Sequence, residues 1–197
     1  MGELHVNMNI TIDGVIQANG GPSEEDAGFA YAGWERPYGD EESGAQITAD
    51  VQASDALLLG RTTYDIFRRY WPGKTDGIGR AFDRVPKYVA SRGTPELSWA
   101  NSTQVSDAAA EVRDLRERHE QIHTWGSGNL LQTLFREGLV DQLNLWVCPV
   151  VIGQGKKLFP EGTTASRFEL VEPPKAYPGG AMLVRYRCLD GPPETSS

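Results

Sequence analysis

Residues 122–137 read IHTWGSGNLLQTLFRE, in which a short apolar run meets Gly126-Ser127-Gly128 and an amphipathic stretch follows at once. This order predicts a β-strand, a tight turn and an α-helix. Glycine tolerates backbone angles and close approaches that a Cβ atom forbids, and the first turn of a helix offers unpaired N–H groups. The stretch therefore predicts either a seat for an anion such as phosphate or an ordinary strand-to-helix turn.

Strand-like and helix-like segments alternate on both sides of this turn until the pattern becomes purely strand-like near the C-terminus. Residues 4–12 alternate strictly, which predicts a strand covered on one face, and residues 13–43 form a long, glycine-rich and acidic loop of the kind that is often functional. Predicted helices follow at 43–54, 61–71, 79–86, 106–121 (with Ser106 as the N-cap) and 128–137, and predicted strands at 55–60, 87–91, 122–125, 141–153, 166–173 and 180–189.

This order of elements predicts an α/β fold with a mixed, mostly parallel sheet flanked by helices and a C-terminal antiparallel hairpin. The length of 197 residues fits one domain, which we expect to span residues 1–190, with residues 191–197 as a disordered tail. No internal repeat and no linker interrupts the pattern.

Composition restricts the class of protein further. A formal net charge of −8 argues against nucleic-acid binding, which needs a basic face. No segment approaches the ~20 apolar residues of a membrane span, and the first residues do not resemble a signal peptide. Two cysteines without close spacing form no metal or redox motif, so we expect a cytoplasmic protein with reduced thiols.

The histidines do not predict a metal site. His119 and His123 are four residues apart, but the pattern changes from helix to strand between them, and no third ligand is evident. We interpret both as surface or capping residues and place His5 on the polar side of the first strand. No metal is expected.

Three turns follow predicted parallel strands, whose carboxyl ends meet at the ligand-binding edge of open α/β sheets. They contain Gly60-Arg61-Thr62, Ser91-Arg92 and Gly126-Ser127-Gly128. Arg61 could clamp a pyrophosphate and Arg92 a 2′-phosphate, although each could equally be a solvated arginine. The turn at 126–128 lacks the third glycine and the downstream acid of a dinucleotide fingerprint, which disfavours a Rossmann domain.

Four segments together resemble a known family, the RibD C-terminal (reductase) domain of riboflavin biosynthesis, a relative of dihydrofolate reductase. They are NITIDGVIQ (9–17), ASDALLLGRTTYDIF (53–67), KYVASR (87–92) and the block at 123–162. The resemblance runs through nearly the whole folded chain. It implies a dihydrofolate reductase-like fold, NADPH as the hydride donor and a homodimer.

The resemblance also implies roles for individual residues, taken position by position. Asp13 and Gly14 would lie beside the reacting ring, with Asp13 orienting the substrate or relaying a proton, unless Asp13 only caps the turn before Gly14. The residues implied to bind the cofactor are Gly60, Arg61 and Thr62 at its phosphates, Ser91 and Arg92 at the 2′-phosphate, and Gly126, Ser127, Gly128 and Asn129 at the pyrophosphate.

Three further side chains are candidates for the substrate. Trp34 and Trp71 could form walls for a flat ring, against the alternative of ordinary packing. Lys156, with its neighbour Lys157, could bind a substrate phosphate, although exposed lysines are common. The resemblance implies hydride transfer to a small heterocyclic or ribosylated substrate, with 5-amino-6-(5-phosphoribosylamino)uracil as the first candidate.

Two departures from the pattern leave the substrate open. The H-x-E and P-C-x-x-C elements of the zinc deaminase that often accompanies such reductases do not occur in the chain. A dihydrofolate reductase holds its pterin with an acid on the helix after the mobile loop, and Glu41, Glu42 and Asp50 give no clear match. A dihydrofolate-like pterin reductase is therefore the alternative. A non-catalytic NADPH sensor and a scaffold protein remain as non-enzymatic hypotheses.

Overall fold

A computed structural model of the protein describes residues 1–20 and 28–193. Over these residues the chain forms one mixed sheet of nine strands, together with five α-helices. The strands are β1 (Glu3–Thr11), β2 (Ala56–Gly60), β3 (Lys87–Ala90), β4 (Ser102–Val105), β5 (Gln121–Thr124), β6 (Gln142–Cys148), β7 (Arg167–Leu170), β8 (Lys175–Ala176) and β9 (Met182–Leu189). The helices are α1 (Glu41–Ala53), α2 (Arg61–Tyr70), α3 (Gly77–Arg84), α4 (Ala108–Arg118) and α5 (Gly128–Arg136).

The strand order is β4-β3-β2-β5-β1-β6-β9-β7, with β8 also paired to β9. Strands β1 to β6 run parallel to one another, while β9 is antiparallel to both β6 and β7. The predicted mostly parallel sheet and the predicted C-terminal hairpin are therefore confirmed. Strand β4 was not predicted, because its short and largely exposed sequence has no apolar run.

Helices cover both faces of the sheet. On one face, α4 and α5 pack against Leu4, Val6 and Leu58 in the largest hydrophobic cluster. On the other face, α1 and α3 pack against Leu57 and Leu59 in a second cluster. This two-sided cover is what a parallel sheet requires, since both of its faces must be buried.

The prediction that β1 is covered on one face only is wrong. His5 is 8% exposed and Asn7 4% exposed, although both belong to the polar set of the alternation. Strand β1 lies between β5 and β6 in the middle of the sheet, so its polar face is buried as well.

The placement of two histidines changes for the same reason. His5 stacks on His123 with ring centroids 5.1 Å apart, and His123 is 3% exposed instead of lying at the surface. Burial, with the charges of His5 and Arg185, lowers the pKa of His123 to about 3, so the ring is neutral. His119 does follow a helix end, where it closes α4.

The helix starts also differ from the sequence prediction in two places. Helix α4 begins at Ala108 with Asp107, not Ser106, as its N-cap, because the Asp107 carboxylate accepts the N–H groups of Ala109 and Ala110. Helix α1 begins at Glu41, inside the predicted loop, since Asp40 and a reciprocal bond from Ser43 form a capping box.

The predicted loop of residues 13–43 contains ordered pieces in its described part. Val15 forms an isolated bridge with Lys157, and Arg36–Tyr38 form a short 3-10 helix. Residues 21–27 of this loop and residues 194–197 of the predicted tail lie outside the described part of the chain. No helix within the described ranges is both long and apolar enough to cross a membrane.

Candidate functional site

Two helices begin side by side at the carboxyl edge of the sheet. Helix α2 follows Gly60 at the end of β2, and α5 follows Ser127 just after β5. The Gly60 N–H donates to the Gly126 carbonyl oxygen at 2.9 Å. A Cβ atom at Gly60 would lie 2.3 Å from Ser127 Oγ, so glycine is needed for this close approach.

These two helix starts have no side-chain cap. Neither Gly60 nor Ser127 provides a side-chain acceptor for the first N–H groups of its helix. The other three helices are each capped by an aspartate, at Asp40, Asp76 and Asp107. The N–H groups of α2 and α5, with their partial positive charge, are therefore left for an anion.

A cleft of about 1420 Å³ opens at this edge. Its lining includes the whole turn at 126–128, one residue of the turn at 60–62 and two of the predicted substrate residues. From the sequence predictions these are Thr62, Trp71, Gly126, Ser127, Gly128, Asn129, Lys156 and Lys157. The structure thus brings together residues that are up to 95 positions apart in the chain, between Thr62 and Lys157.

Four aromatic side chains, here called the aromatic wall, line one side of the cleft: Phe67, Trp71, Phe82 and Trp125. Phe82 lies at the centre of the wall, with its ring centroid 5.2 Å from those of both Trp71 and Trp125. Ile47 and Val51 of α1 line the same cleft. Phe82 meets both tryptophans edge to face, at 77° and 82°, so the wall is an apolar surface built of interlocked rings.

The charge of the lining is opposite to that of the whole protein. Arg36, Arg69, Lys156 and Lys157 line the cleft, and Glu35 is the only acid among its described lining residues. The whole chain carries a net charge of −8. A local excess of cations in an acidic protein favours an anionic ligand. Sequence reasoning missed Glu35, because no spacing marks it among the 27 acids.

Asp13 and Gly14 form a tight turn outside the cleft lining. The Asp13 carboxylate accepts bonds from the Thr11 hydroxyl at 2.6 Å, the Gly153 N–H at 2.7 Å and the Ile152 N–H at 3.2 Å. The Thr11 bond, followed by the two backbone bonds, lowers the Asp13 pKa to about 2. These contacts favour the turn-capping alternative over a proton relay, since the carboxylate is ionised and already engaged.

Trp34 also lies outside the cleft lining. It is 7% exposed and packs with Trp146 and Cys148, and its indole N–H donates to the Gln17 carbonyl oxygen at 2.8 Å. The structure therefore favours packing over a substrate wall at Trp34, while Trp71 keeps its predicted place in the cleft.

Arg61, Ser91 and Arg92 are not part of the cleft lining. Strands β2 and β3 are neighbours with Gly60 opposite Ala90, so the turns that follow them start at the same edge. The Arg61 side chain bonds Asp65 one turn along α2. Arg92 is exposed, and Ser91 bonds within its own turn at Gly93.

The described residues contain no group of three or more histidine, cysteine, aspartate or glutamate side chains arranged to hold a metal ion. Both cysteines are free thiols. Burial, with the Glu35 charge, raises the Cys148 pKa to about 11, and burial, with the Asp141 charge, raises the Cys188 pKa to about 12. Neither thiol is activated as a nucleophile.

The mixed sheet and the cleft at its parallel edge define an α/β domain with a candidate ligand site at the carboxyl ends of its parallel strands. The family model of the RibD C-terminal domain matches residues 3–176. The chain belongs to the RibD C-terminal domain family, a family of riboflavin-pathway reductases. The resemblance noted from the sequence is thereby confirmed.

The individual proteins that the chain resembles have low sequence identity to it. The chain is 26% identical over 165 residues to the uncharacterized protein YyaP of Bacillus subtilis, covering 78% of each chain. A provisionally assigned riboflavin biosynthesis protein from Shewanella sp. PV-4 has a similar structure, with a TM-score of 0.74, 17% identity and coverage of 95% of this chain and 99% of that one.

Two further solved structures share the fold at 15% identity. A pyrimidine reductase-like protein from Corynebacterium diphtheriae matches with a TM-score of 0.66 over 96% of this chain and 93% of its own. A deaminase/5-amino-6-(5-phosphoribosylamino)uracil reductase from Thermotoga maritima matches with a TM-score of 0.62 over 95% of this chain but 57% of its own.

Proposed function

We propose that the protein is an NADPH-dependent reductase of a small heterocyclic or ribosylated substrate. The observation that carries this proposal is the pair of uncapped helix starts, α2 and α5, in contact at a cleft whose charged lining residues are mostly cations. Backbone N–H groups at helix starts bind phosphate groups, and a pyrophosphate can be shared between two of them.

The residues at the site fit a dinucleotide. The backbone of residues 126–129 and the start of α2 at Thr62 would hold the pyrophosphate. Arg92, with Ser91, would hold the 2′-phosphate that distinguishes NADPH from NADH, since it follows the strand next to β2. When bound, NADPH would supply a hydride, and the aromatic wall would exclude water from a ring placed beside it.

The first substrate to test is 5-amino-6-(5-phosphoribosylamino)uracil. The family membership suggests it, and the name of the similar Thermotoga maritima protein contains it. Lys156 and Lys157 in the cleft lining are candidates for its phosphate. A dihydrofolate-like pterin is the second substrate to test, because the aromatic wall offers apolar contact to a bicyclic ring as well.

The cofactor is tested by titrating the protein with NADPH and NADH while tryptophan fluorescence is recorded, since Trp71 and Trp125 line the cleft. We expect saturable binding of both and tighter binding of NADPH. Equal affinity would remove the NADPH preference, and no binding would remove the reductase proposal and favour a scaffold role.

Catalysis is tested by mixing the protein and NADPH with each substrate and recording the loss of the absorbance band of the reduced nicotinamide ring. We expect NADPH oxidation with at least one of the two. NADPH binding without oxidation by either would remove both substrate assignments and favour a sensor.

We further propose a homodimer that uses the β7–β9 end of the sheet. Leu170, Val171, Met182 and Leu189 are 50%, 41%, 37% and 36% exposed there, and β7 is an edge strand. Exposed apolar side chains on an open edge favour pairing with a second copy. Sedimentation equilibrium should give twice the chain mass of 21.6 kDa, and a single-chain mass would refute the dimer.

A further inference from the structure

Asn9 is a half-buried residue of the central strand β1, and it lines the cleft. Its side-chain amide forms no hydrogen bond with any residue in the described part of the chain. The amide is not sealed inside the protein either, since neither its nitrogen nor its oxygen is among the buried polar atoms without a partner. Both polar atoms are therefore accessible, and a molecule that fills the cleft can bind them.

The neighbouring polar side chains of β1 do have partners in the protein. Alternate residues of a strand point to the same face, so Asn7, Asn9 and Thr11 form one row. Asn7 Oδ1 accepts a hydrogen bond from Nδ2 of Asn144 at 3.0 Å, and the Thr11 hydroxyl donates to Asp13 at 2.6 Å. Of the three residues in the row, Asn9 lines the cleft and the other two do not. The fold therefore satisfies the row except at the position where a ligand can bind.

Asn9 lies next to the turn that opens α5. Strands β1 and β5 are parallel neighbours, but the chain after β5 crosses towards β2, where the Gly126 carbonyl oxygen accepts the Gly60 N–H at 2.9 Å. The turn remains close to β1, as a Cβ atom at Gly126 would lie 3.8 Å from Met8 Cε. The sheet therefore parts between Asn9 and the start of α5. A group bound at Asn9 can belong to the same molecule as a phosphate bound at that helix start.

On the other side, Asn9 has apolar neighbours. Trp146 is its partner in the register of β1 and β6, and Ile47 of α1 packs in the same cluster as Trp146. An asparagine amide carries two N–H donors and one carbonyl acceptor, and in apolar surroundings both kinds of group need partners. A phosphate would satisfy the donors alone. A carboxamide satisfies donor and acceptor at once through a pair of hydrogen bonds, so it is the ligand group that matches Asn9.

We propose that Asn9 determines cofactor specificity by pairing its side-chain amide with the carboxamide group of the nicotinamide ring. The proposal rests on the proposed reductase function, because it names the residue that receives the uncharged end of NADPH. With the phosphates at the starts of α2 and α5 and the carboxamide at Asn9, the cofactor would be held at two separate points. These two points would fix the rotation of the ring about its bond to the ribose, and hence the face that meets the substrate.

The test compares NADPH with its reduced 3-acetylpyridine analogue, in which a methyl ketone replaces the carboxamide. The analogue keeps the carbonyl acceptor but lacks the N–H donors that Asn9 Oδ1 would accept. We expect calorimetric titration of the parent protein to show about tenfold tighter binding of NADPH, the effect of one hydrogen bond whose acceptor is left unpaired. Asn9→Ala should bind the two compounds with affinities within about twofold of each other.

A second variant identifies the atom that discriminates. Asn9→Asp keeps an acceptor for the carboxamide N–H but offers no donor. It should still prefer NADPH over the analogue, because its carboxylate accepts the N–H of the first and repels the ketone oxygen of the second. A preference that survives in Asn9→Ala, or that is absent from Asn9→Asp, would overturn the proposal.

Two controls separate recognition from folding. Asn7→Ala changes the same residue type two positions earlier on β1, outside the cleft lining, and removes the hydrogen bond to Asn144. It should lower the melting temperature and keep the preference for NADPH over the analogue. Asn9→Ala should do the reverse, and it should retain the parent's ratio of NADPH to NADH affinity, since the 2′-phosphate is assigned to Arg92. Equal loss of the analogue preference in Asn7→Ala would contradict the proposal.

The same titrations distinguish this proposal from the one on which it rests. If the parent binds NADPH but does not distinguish it from the acetylpyridine analogue, the role of Asn9 falls and the reductase function stands. If the parent binds neither compound, the reductase function falls, and the assignment of Asn9 falls with it.

Discussion

The five described α-helices begin in two different ways. Helices α1, α3 and α4 start behind Asp40, Asp76 and Asp107, whose carboxylates accept the first N–H groups of each helix. Helices α2 and α5 start behind Gly60 and Ser127 with no side-chain acceptor, and only these two begin in the turns at the cleft. The chain satisfies its own N–H groups where a helix start only supports the fold. It leaves them open where a ligand can bind them.

The largest expected effect comes from giving α5 the aspartate cap that α1, α3 and α4 have. Ser127→Asp should weaken NADPH binding by about 3 kcal/mol, roughly a hundredfold, because a carboxylate would occupy the N–H groups and repel the phosphates. The same change should leave the protein as stable or more stable, since aspartate is a good N-cap. Calorimetric titration and thermal melting measure the two effects.

Ser127→Asn is the matched control, because asparagine also caps a helix but carries no charge. We expect an intermediate loss of NADPH affinity, which separates occupied N–H groups from charge repulsion. Unchanged NADPH binding in Ser127→Asp would show that no phosphate lies at the start of α5.

The second prediction concerns the turn after β3. Arg92→Ala should weaken NADPH binding by about 1.5 kcal/mol, the lower end for a charged hydrogen bond, because Arg92 is exposed. NADH, which lacks the 2′-phosphate, should bind as it does to the parent protein. Titration of both cofactors measures the difference. Equal losses of affinity for the two would show that Arg92 does not bind the 2′-phosphate.

A third pair of variants tests the helix starts through stability alone. Asp107→Ala should lower the free energy of unfolding by about 1 kcal/mol, because two N–H groups of α4 lose their acceptor. Ser127→Ala should cost much less, since the Ser127 side chain makes no capping bond. Urea denaturation compares the two, and an equal cost would contradict the distinction between the helix starts.

Asp13 provides the smallest expected effect and extends the comparison to a loop. Its pKa falls from 3.8 to about 2 on folding, so its contribution to stability is present above pH ~4 and is lost as the pH falls towards 2. Asp13→Asn should remove this part of the acid dependence in a melting series. Turnover should survive, because the carboxylate holds the N–H groups of Ile152 and Gly153. A tenfold loss of turnover with intact NADPH affinity would instead support the proton relay.

Much of the fold was predictable because it depends on local patterns. The apolar run 55–60, the glycine turn at 126–128 and the C-terminal pair of strands each carry their signal within a few residues. The failures fall where a distant contact decides the outcome. His123 is buried because β5 lies beside β1, and the short strand β4 exists because β3 offers it an edge.

The candidate site divides in the same way. The sequence by itself determined that glycine turns follow parallel strands at one edge of the sheet. Turn residues and the alternation of strands with helices can both be recognised within short segments. Only the tertiary structure decided which N–H groups have an acceptor. Asp13 meets Gly153 across 140 positions, and Gly60 meets Gly126 across 66. Whether a polar group is paired or open depends on what the folded chain brings beside it, and the open amide of Asn9 became visible only when its neighbours were in place.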